Sequence, residues 1–180
     1  MMMRLQILLL FIFLIPQVAY TGAEAKRFNL GVGYHSLEIY DVTDTYDGLE
    51  LRGLLLSGVY MFTDNIALNG NYYTLNKNDL VSTDVGGTEI LVRLGSGLAT
   101  IGGKLYFSGG YFREQWDSAT ESNSFDGWQI GGGFGYNWEG SSFDMLLHLR
   151  DTGDYENYRA GSGEEIATAG TLSLVFSIRF

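Results

Sequence analysis

The chain contains no cysteine, only two histidines and a single proline, Pro16. Without cysteine there is neither a disulfide framework nor a cysteine-based metal site. Because proline removes a donor from a sheet ladder, its absence from residue 17 onwards suits a chain that is almost entirely paired strand. Positive charge is also scarce, since 11 basic residues stand against 21 acidic ones and the net charge is −10. This sign of charge excludes nucleic acid as a partner.

Long apolar runs are missing except at the N-terminus. Residues 7–15 are continuously apolar, follow Arg4 and precede Pro16. A membrane-spanning helix needs about 20 such residues, so this run is too short to be one. A basic start, a short apolar core and small residues after it are typical of a secretory signal peptide.

We expect the signal peptide to occupy residues 1–25 and the mature domain to occupy residues 26–180. The preferred cleavage site follows Ala25, and Ala19 and Ala23 are the alternatives. Cleavage after Ala25 removes one basic and one acidic residue, so the net charge of the mature chain stays at −10.

What fills the mature chain is alternation of apolar with small or polar residues, in a composition with 25 glycines and 14% aromatics. Successive side chains of a strand point to opposite faces, so each alternating segment predicts a strand with one apolar face. The mean hydropathy of +0.02 fits this pattern, since alternation conceals apolar faces in the average. Eight strands are predicted, at about residues 27–40, 49–62, 66–75, 88–98, 104–114, 126–138, 142–151 and 171–180.

The alternation is imperfect in the first two strands. In the second, Leu55 and Val59 are apolar on the face opposite Leu54, Leu56 and Tyr60. Leu37 and Ile39 fall out of phase with the first strand, which predicts a bulge or a protruding end there. In the fourth strand, Leu98 continues the outer apolar face that includes Leu94.

The connections between the predicted strands alternate in length. Outer-membrane barrels have short periplasmic turns and longer extracellular loops, so the pattern predicts one antiparallel eight-stranded transmembrane barrel. A soluble eight-stranded barrel such as a lipocalin is the alternative, but its outward faces should be polar. The predicted long connections are residues 41–48, 76–87, 115–125 and 152–165, and the short ones are 63–65, 99–103 and 139–141.

The end of the chain resembles the C-terminal signature of bacterial outer-membrane barrels, a final phenylalanine preceded by alternating apolar residues. In that family the barrel-assembly machinery recognises this signature. Residues 58–65 and 135–138 are similar to strand-to-turn segments of the small eight-stranded barrels of the OmpX and OmpA-transmembrane-domain type. The residues of the predicted assembly signal are Leu172, Leu174, Phe176, Ile178 and Phe180.

This resemblance implies a protein of the bacterial outer membrane with periplasmic termini and extracellular long loops. Its expected partners are outer-membrane lipids, lipopolysaccharide and, during biogenesis, the assembly machinery. We expect a monomer without a cofactor or bound metal. Sixteen of the 20 acidic residues of the mature chain lie in or beside the long connections, which favours a role in envelope integrity or surface interaction.

An eight-stranded barrel is so narrow that side chains fill its interior. Charged residues on the inward faces must therefore pair with each other, because an unpaired buried charge is costly. We expect a salt-bridged plug in which Asp144 pairs with Arg179, and the alternative is a narrow ion path. The predicted polar network comprises Glu89, Arg93, Lys104, Glu114, Asp144, His148, Arg150 and Arg179.

Some eight-stranded outer-membrane barrels modify lipid A, so catalysis is a further alternative. Such an enzyme needs a nucleophile and a base close together. His35 and Ser36 are adjacent and point to opposite faces, while the same-face serine of His148 is Ser142, six residues away. The sequence therefore gives no support to a Ser–His arrangement, and we expect no enzymatic activity.

Overall fold

The computed structural model describes residues 26–41, 49–76, 84–117, 122–159 and 166–180. The predicted signal peptide lies outside these ranges. Eight antiparallel strands form a closed barrel in which each strand pairs with its sequence neighbours and β1 pairs with β8. The fold class predicted from the sequence is confirmed. The elements are β1 (Phe28–Asp41), β2 (Leu49–Met61), β3 (Ile66–Asn76), β4 (Asp84–Ser96), β5 (Gly102–Asp117), β6 (Ser122–Asn137), β7 (Ser141–Arg150), α1 (Gly153–Arg159) and β8 (Ile166–Arg179).

Several strand boundaries differ from the prediction with consequences for the loops. β4 begins at Asp84 instead of residue 88, so the predicted connection 76–87 shortens to residues 77–83. The β5–β6 hairpin continues to Asp117 and resumes at Ser122, so the predicted long connection is only residues 118–121. Its alternation persists, with Trp116 and Phe125 inward and polar residues outward. The fourth strand ends at Ser96, and Leu98 is buried in the turn that follows instead of continuing the outer apolar face.

Of the two alternatives predicted at Leu37 and Ile39, a bulge or a protruding end, the bulge is absent. β1 pairs with β2 in unbroken register from Phe28 to Ile39, and its pairing with β8 shifts only between Tyr40 and Asp41. Both residues simply point into the barrel, as His35 does before them.

The barrel instead reverses its polarity along its length. Between the short turns and the level of His35 the exterior is apolar, and the interior carries polar residues together with apolar ones such as Leu55, Met61 and Leu146. Towards the longer connections the exterior carries polar residues and the interior carries a core of apolar ones. Leu37 is out of phase with the apolar residues Phe28 to Tyr34 because the apolar residues of β1 switch from the outer to the inner face. The strand itself stays regular. The interior apolar residues at this end include Leu37, Ile39, Leu51, Leu75, Val85 and Phe112.

Candidate functional site

The exterior of the barrel is an apolar belt. Leu54 is 74% exposed and Ile130 is 70% exposed, and they belong to a continuous band of outward apolar side chains, which water-soluble monomers rarely expose. Along β2 and the residue after it the belt runs from Leu54 to Phe62, and these nine residues of tilted chain span roughly 20 Å. A height of that size approaches the ~25 Å band of outer-membrane barrels and contradicts the lipocalin alternative, whose exterior is polar.

Aromatic side chains border the belt at both ends. Near the short turns, Tyr60 packs edge-on against Phe62, and Tyr136 lies 5.0 Å from Trp138 between ring centroids. Near the longer connections, Tyr111 packs against Trp128 at 5.6 Å. This is the arrangement of interfacial girdles, where amphipathic rings sit at the level of lipid headgroups.

The predicted assembly signal lies on the outer face of β8. Phe176, Ile178 and Phe180 are exposed, whereas Leu172 and Leu174 are half-buried. The ring of Phe180 packs 6.2 Å from that of Phe28, and the backbone groups of these two residues exchange hydrogen bonds. The last residue is therefore joined to the first strand at the point where the barrel closes.

The interior buries all eight residues of the predicted polar network, together with several polar residues that the prediction did not include. Six of the eight form two ion clusters, with three acids and three bases between them. The lower cluster, nearer the short turns, comprises Arg93, Lys104 and Asp144, and the upper cluster comprises Glu89, Glu114 and Arg150.

In the lower cluster, Asp144 is the shared acceptor. Arg93 Nη1 donates to it at 3.1 Å, Lys104 Nζ at 2.7 Å and the hydroxyl of Tyr106 at 2.7 Å. Arg93 also donates to Asn69 Oδ1 at 2.7 Å, and its guanidinium lies over the Tyr106 ring. Two cations against one carboxylate leave this cluster one positive charge in excess.

In the upper cluster, Arg150 is the shared donor. It pairs with Glu89 at 2.7 Å and with Glu114, and it donates to the hydroxyl of Tyr73 at 3.0 Å. Its guanidinium lies 4.4 Å above the Phe112 ring. This cluster carries one negative charge in excess, which offsets the surplus of the lower one. The interior is therefore balanced in charge over these six residues, as a low-dielectric setting demands.

Inward glycines allow several of these contacts to reach across an intervening strand. Gly135 lies between Lys104 and Asp144 in the register, and an added Cβ there would be 2.8 Å from Lys104 Cε. Gly87 lies in the same way between Tyr73 and Glu114, whose side chains hydrogen-bond at 2.7 Å. Small residues thus give long side chains the room to cross the sheet.

The predicted Asp144–Arg179 pair is wrong. In the β7–β8 register, Asp144 is opposite Val175, four residues before Arg179. Arg179 instead donates to the carbonyl oxygens of Ala99 at 2.5 Å and Trp138 at 2.7 Å. Arg179 thus hydrogen-bonds the short turns at the lower mouth of the barrel, which is the end nearer those turns. Among the described residues it makes no ion pair within 4.0 Å.

The lower mouth is covered by the turn between β4 and β5, residues 97–101. Leu98 and Ala99 of this turn are buried. Asp64 fastens the turn from the neighbouring connection, because its carboxylate accepts from the backbone N–H groups of Gly97, Ala99 and Thr100 at 3.0–3.1 Å. Asn137 donates to three carbonyls of the same turn. The positive φ of 73° at Gly97 permits the tight reversal.

The upper mouth is covered by α1, which holds Tyr155 against the end of the lumen. The Tyr155 ring stacks on Phe125 at 5.1 Å and lies nearly parallel to Phe112 at 6.2 Å. Its hydroxyl donates to Glu114 Oε2 at 3.0 Å. Burial raises the pKa of the Tyr155 phenol well above its usual value, so the hydroxyl keeps the proton that it donates.

Both histidines bond to a serine, which corrects the expectation that the chain forms no Ser–His arrangement. His35 Nδ1 lies 2.7 Å from Ser173 Oγ on β8, and His148 Nε2 lies 2.6 Å from Ser108 Oγ on β5. His35 Nε2 is 3.9 Å from Glu89 and was missing from the predicted network. These contacts connect different strands, so spacing along one strand could not reveal them.

Comparisons with known proteins agree with this architecture. Ail, the attachment invasion locus protein of Yersinia pestis, was solved in complex with the heparin analogue sucrose octasulfate. It superposes with a TM-score of 0.62 at 18% identity, over 87% of this chain and all of that one. The N-terminal β-barrel domain of Pseudomonas aeruginosa OprF gives 0.54 at 17% identity, with the same coverage. Neisserial surface protein A gives 0.58 at 12% identity, over 88% of this chain and all of that one.

The chain has the fold of the small eight-stranded outer-membrane barrels. Its similarity to them is structural, since no family model and no curated protein matches the sequence. This is the OmpX- and OmpA-like fold that the strand pattern predicted.

Within this barrel fold, the ion clusters and the two Ser–His pairs are buried inside the barrel. Ser173 and Ser108, the serines beside the two histidines, are both buried. A serine nucleophile must contact its substrate, and neither hydroxyl is presented to the belt or to a mouth.

In the described part of the chain, no helix is long and apolar enough to cross a membrane. Over the same residues, His, Asp and Glu side chains form no group of three suited to a metal ion.

Proposed function

We propose that this protein is a non-enzymatic integral barrel of the outer membrane that contributes to envelope integrity or surface interaction through its acidic loop end. The observation that carries the proposal is an apolar belt around a closed interior in which the charges of the two ion clusters balance each other. Lipid can cover the belt, while the ion clusters and the covered mouths enclose the interior, so the residues that remain open to other molecules are on the exterior.

The proposed orientation places both termini and the three short turns in the periplasm and the longer connections outside the cell. Residues 1–25 would direct export and be removed. The strand that ends at Phe180 would be recognised by the barrel-assembly machinery. Every strand contributes outward apolar residues, so lipid can surround the whole circumference, which favours a monomer among outer-membrane lipids and lipopolysaccharide.

The loop end favours cationic partners. Exposed or half-exposed carboxylates there include Asp84, Asp117, Asp126, Asp151, Asp154 and Glu156. Glu89 and Glu114, which the sequence placed beside this rim, are buried in the upper ion cluster and add nothing to its surface. The ligand in the Ail complex is a sulfated polyanion, whereas the rim here attracts cations or basic protein surfaces.

The contents of the barrel interior give less support to a channel or an enzyme than to a structural barrel. A conducting path would have to pass the residue 97–101 turn, both ion clusters and Tyr155. A lipid-modifying site would need a nucleophile open to the belt. The Ser–His contacts are enclosed by neighbouring strands.

Two measurements test the proposal. We expect the purified protein in planar bilayers to show no stepwise conductance, and we expect lipid A from a deletion strain to have an unchanged mass spectrum. Reproducible single-channel steps would support the channel instead. A mass shift of one acyl chain, restored by the wild-type gene, would support the enzyme.

A further inference from the structure

A groove of about 550 Å³ lies on the outer face of the barrel towards the longer connections, across β3 to β6. Its lining combines one aromatic ring, one guanidinium, several hydroxyl and amide groups and two acidic residues, the buried Glu114 and the exposed Asp117. The side chains that matter are Tyr72, Thr88, Arg113, Gln115, Ser122 and Ser124.

The groove exists because β4 carries no outward side chain at position 86, between the outward Asp84 and Thr88. Gly86 stands between Thr74 of β3 and Gln115 of β5 in the register. A Cβ added at Gly86 would meet nothing within 4 Å, so the space above it is open. Tyr72 on one side and Arg113 on the other form the walls of this depression.

Arg113 is unusual among the arginines whose side chains the structure describes, because it alone has no hydrogen bond or ion pair with another described residue. Its cross-strand neighbour is Asp126, but the Asp126 carboxylate accepts the hydroxyl of Tyr111 instead. On β2, Arg52 is also exposed, but it pairs with Glu50. The N–H groups of the Arg113 guanidinium are therefore available to a bound molecule that offers hydrogen-bond acceptors.

The position of the groove along the barrel restricts what could fill it. Arg113 is two residues above Tyr111 on the same face, and Tyr111 belongs to the upper aromatic girdle. The groove therefore begins where the apolar belt ends. In the orientation proposed above, this is the headgroup level of the outer leaflet.

We propose that the groove binds the phosphorylated sugar headgroup of an outer-leaflet glycolipid. The Arg113 guanidinium matches a phosphate, with which it can form two parallel hydrogen bonds. The hydroxyl and amide side chains can hydrogen-bond sugar hydroxyls, and the Tyr72 ring offers an apolar face to the sugar ring. Asp84 and Asp117 stand opposite each other at the upper end, so the phosphate binds at the lower end beside Arg113 and Thr88.

This inference rests on the proposed outer-membrane location, but its test does not. Detergent-solubilised protein is titrated with bisphosphorylated lipid A, and bound lipid is counted by native mass spectrometry. Arg113→Gln should weaken binding at least about tenfold, since a hydrogen bond to a charged group contributes about 1.5–3 kcal/mol. Gly86→Leu should fill the groove and abolish binding while the protein stays folded by heat-modifiability.

Matched variants and lipids decide the outcome. Arg52→Gln removes another exposed guanidinium outside the groove, and Gly103→Leu adds a side chain at another open outward glycine. Both should bind like the wild type. Dephosphorylated lipid A and phosphatidylglycerol should bind more weakly than bisphosphorylated lipid A. Equal losses in Arg113→Gln and Arg52→Gln, or equal binding of all three lipids, would overturn the proposal. Failure of the outer-membrane assignment itself would appear separately, in cell fractionation.

Discussion

Removing the shared donor of the upper ion cluster should destabilise the barrel strongly. In Arg150→Met, Glu89 and Glu114 lose their cation while their side chains remain at most 1% exposed. Glu114 keeps donors from Tyr73, Trp116 and Tyr155. Among the described residues, Glu89 keeps a hydrogen bond only from Asn71, with His35 Nε2 3.9 Å away. Breaking a buried ion pair from one side costs about 3–5 kcal/mol, and we expect a loss of that size in the free energy of unfolding, arising mainly at Glu89.

The assay is reversible urea unfolding in lipid vesicles, followed by tryptophan fluorescence and by the heat-modifiable shift on gels. The double variant Arg150→Met with Glu89→Gln should recover a substantial part of the loss, because it removes the carboxylate with the fewest remaining donors. Arg52→Met breaks an exposed pair on the outside and should cost no more than about 1 kcal/mol. If Arg150→Met and Arg52→Met lose equal stability, or if the double variant is worse than the single one, the cluster does not act as described.

Three further changes test the two mouths and the closing strand. Tyr155→Ala should speed trypsin cleavage after residue 159 about tenfold by undocking α1, whereas Tyr155→Phe keeps the ring contacts and should change it little. Asp64→Ala should lower the free energy of unfolding by about 1–3 kcal/mol, since the turn over the lower mouth loses its shared acceptor; Glu139→Ala, at an exposed turn position, is the control. Phe180→Ser should reduce the folded, heat-modifiable protein recovered in outer membranes, and an unchanged amount would remove Phe180 from the assembly signal.

Alternation within each strand was enough to predict eight strands and their faces, because lipid outside and polar side chains inside impose a period of two. It failed where the environment changes. Leu37 points inward like His35, but above the belt the exterior is polar and the interior apolar, so a regular strand looked irregular. The same reversal concealed the extension of the β5–β6 hairpin to Trp116 and Phe125.

Contacts between strands were the harder part. The partner of Asp144 depends on register, which turns and barrel closure determine, and register places Val175 opposite it instead of Arg179. His35 and Ser173 meet for the same reason, although they are 138 residues apart. No periodic pattern marks Tyr155, which lies in a short helix within a polar connection and reaches the lumen through α1.

The most direct test of the central claim is solvent accessibility measured residue by residue, which the absence of native cysteine makes possible. Single variants Ser122→Cys, Ile130→Cys and Glu139→Cys are exposed to a membrane-impermeant maleimide in intact cells and then after permeabilisation. We predict labelling of position 122 in intact cells, of position 139 only after permeabilisation, and of position 130 only after unfolding. If folded protein is labelled at position 130 as fast as unfolded protein, the apolar belt faces water and the account of an outer-membrane barrel is contradicted.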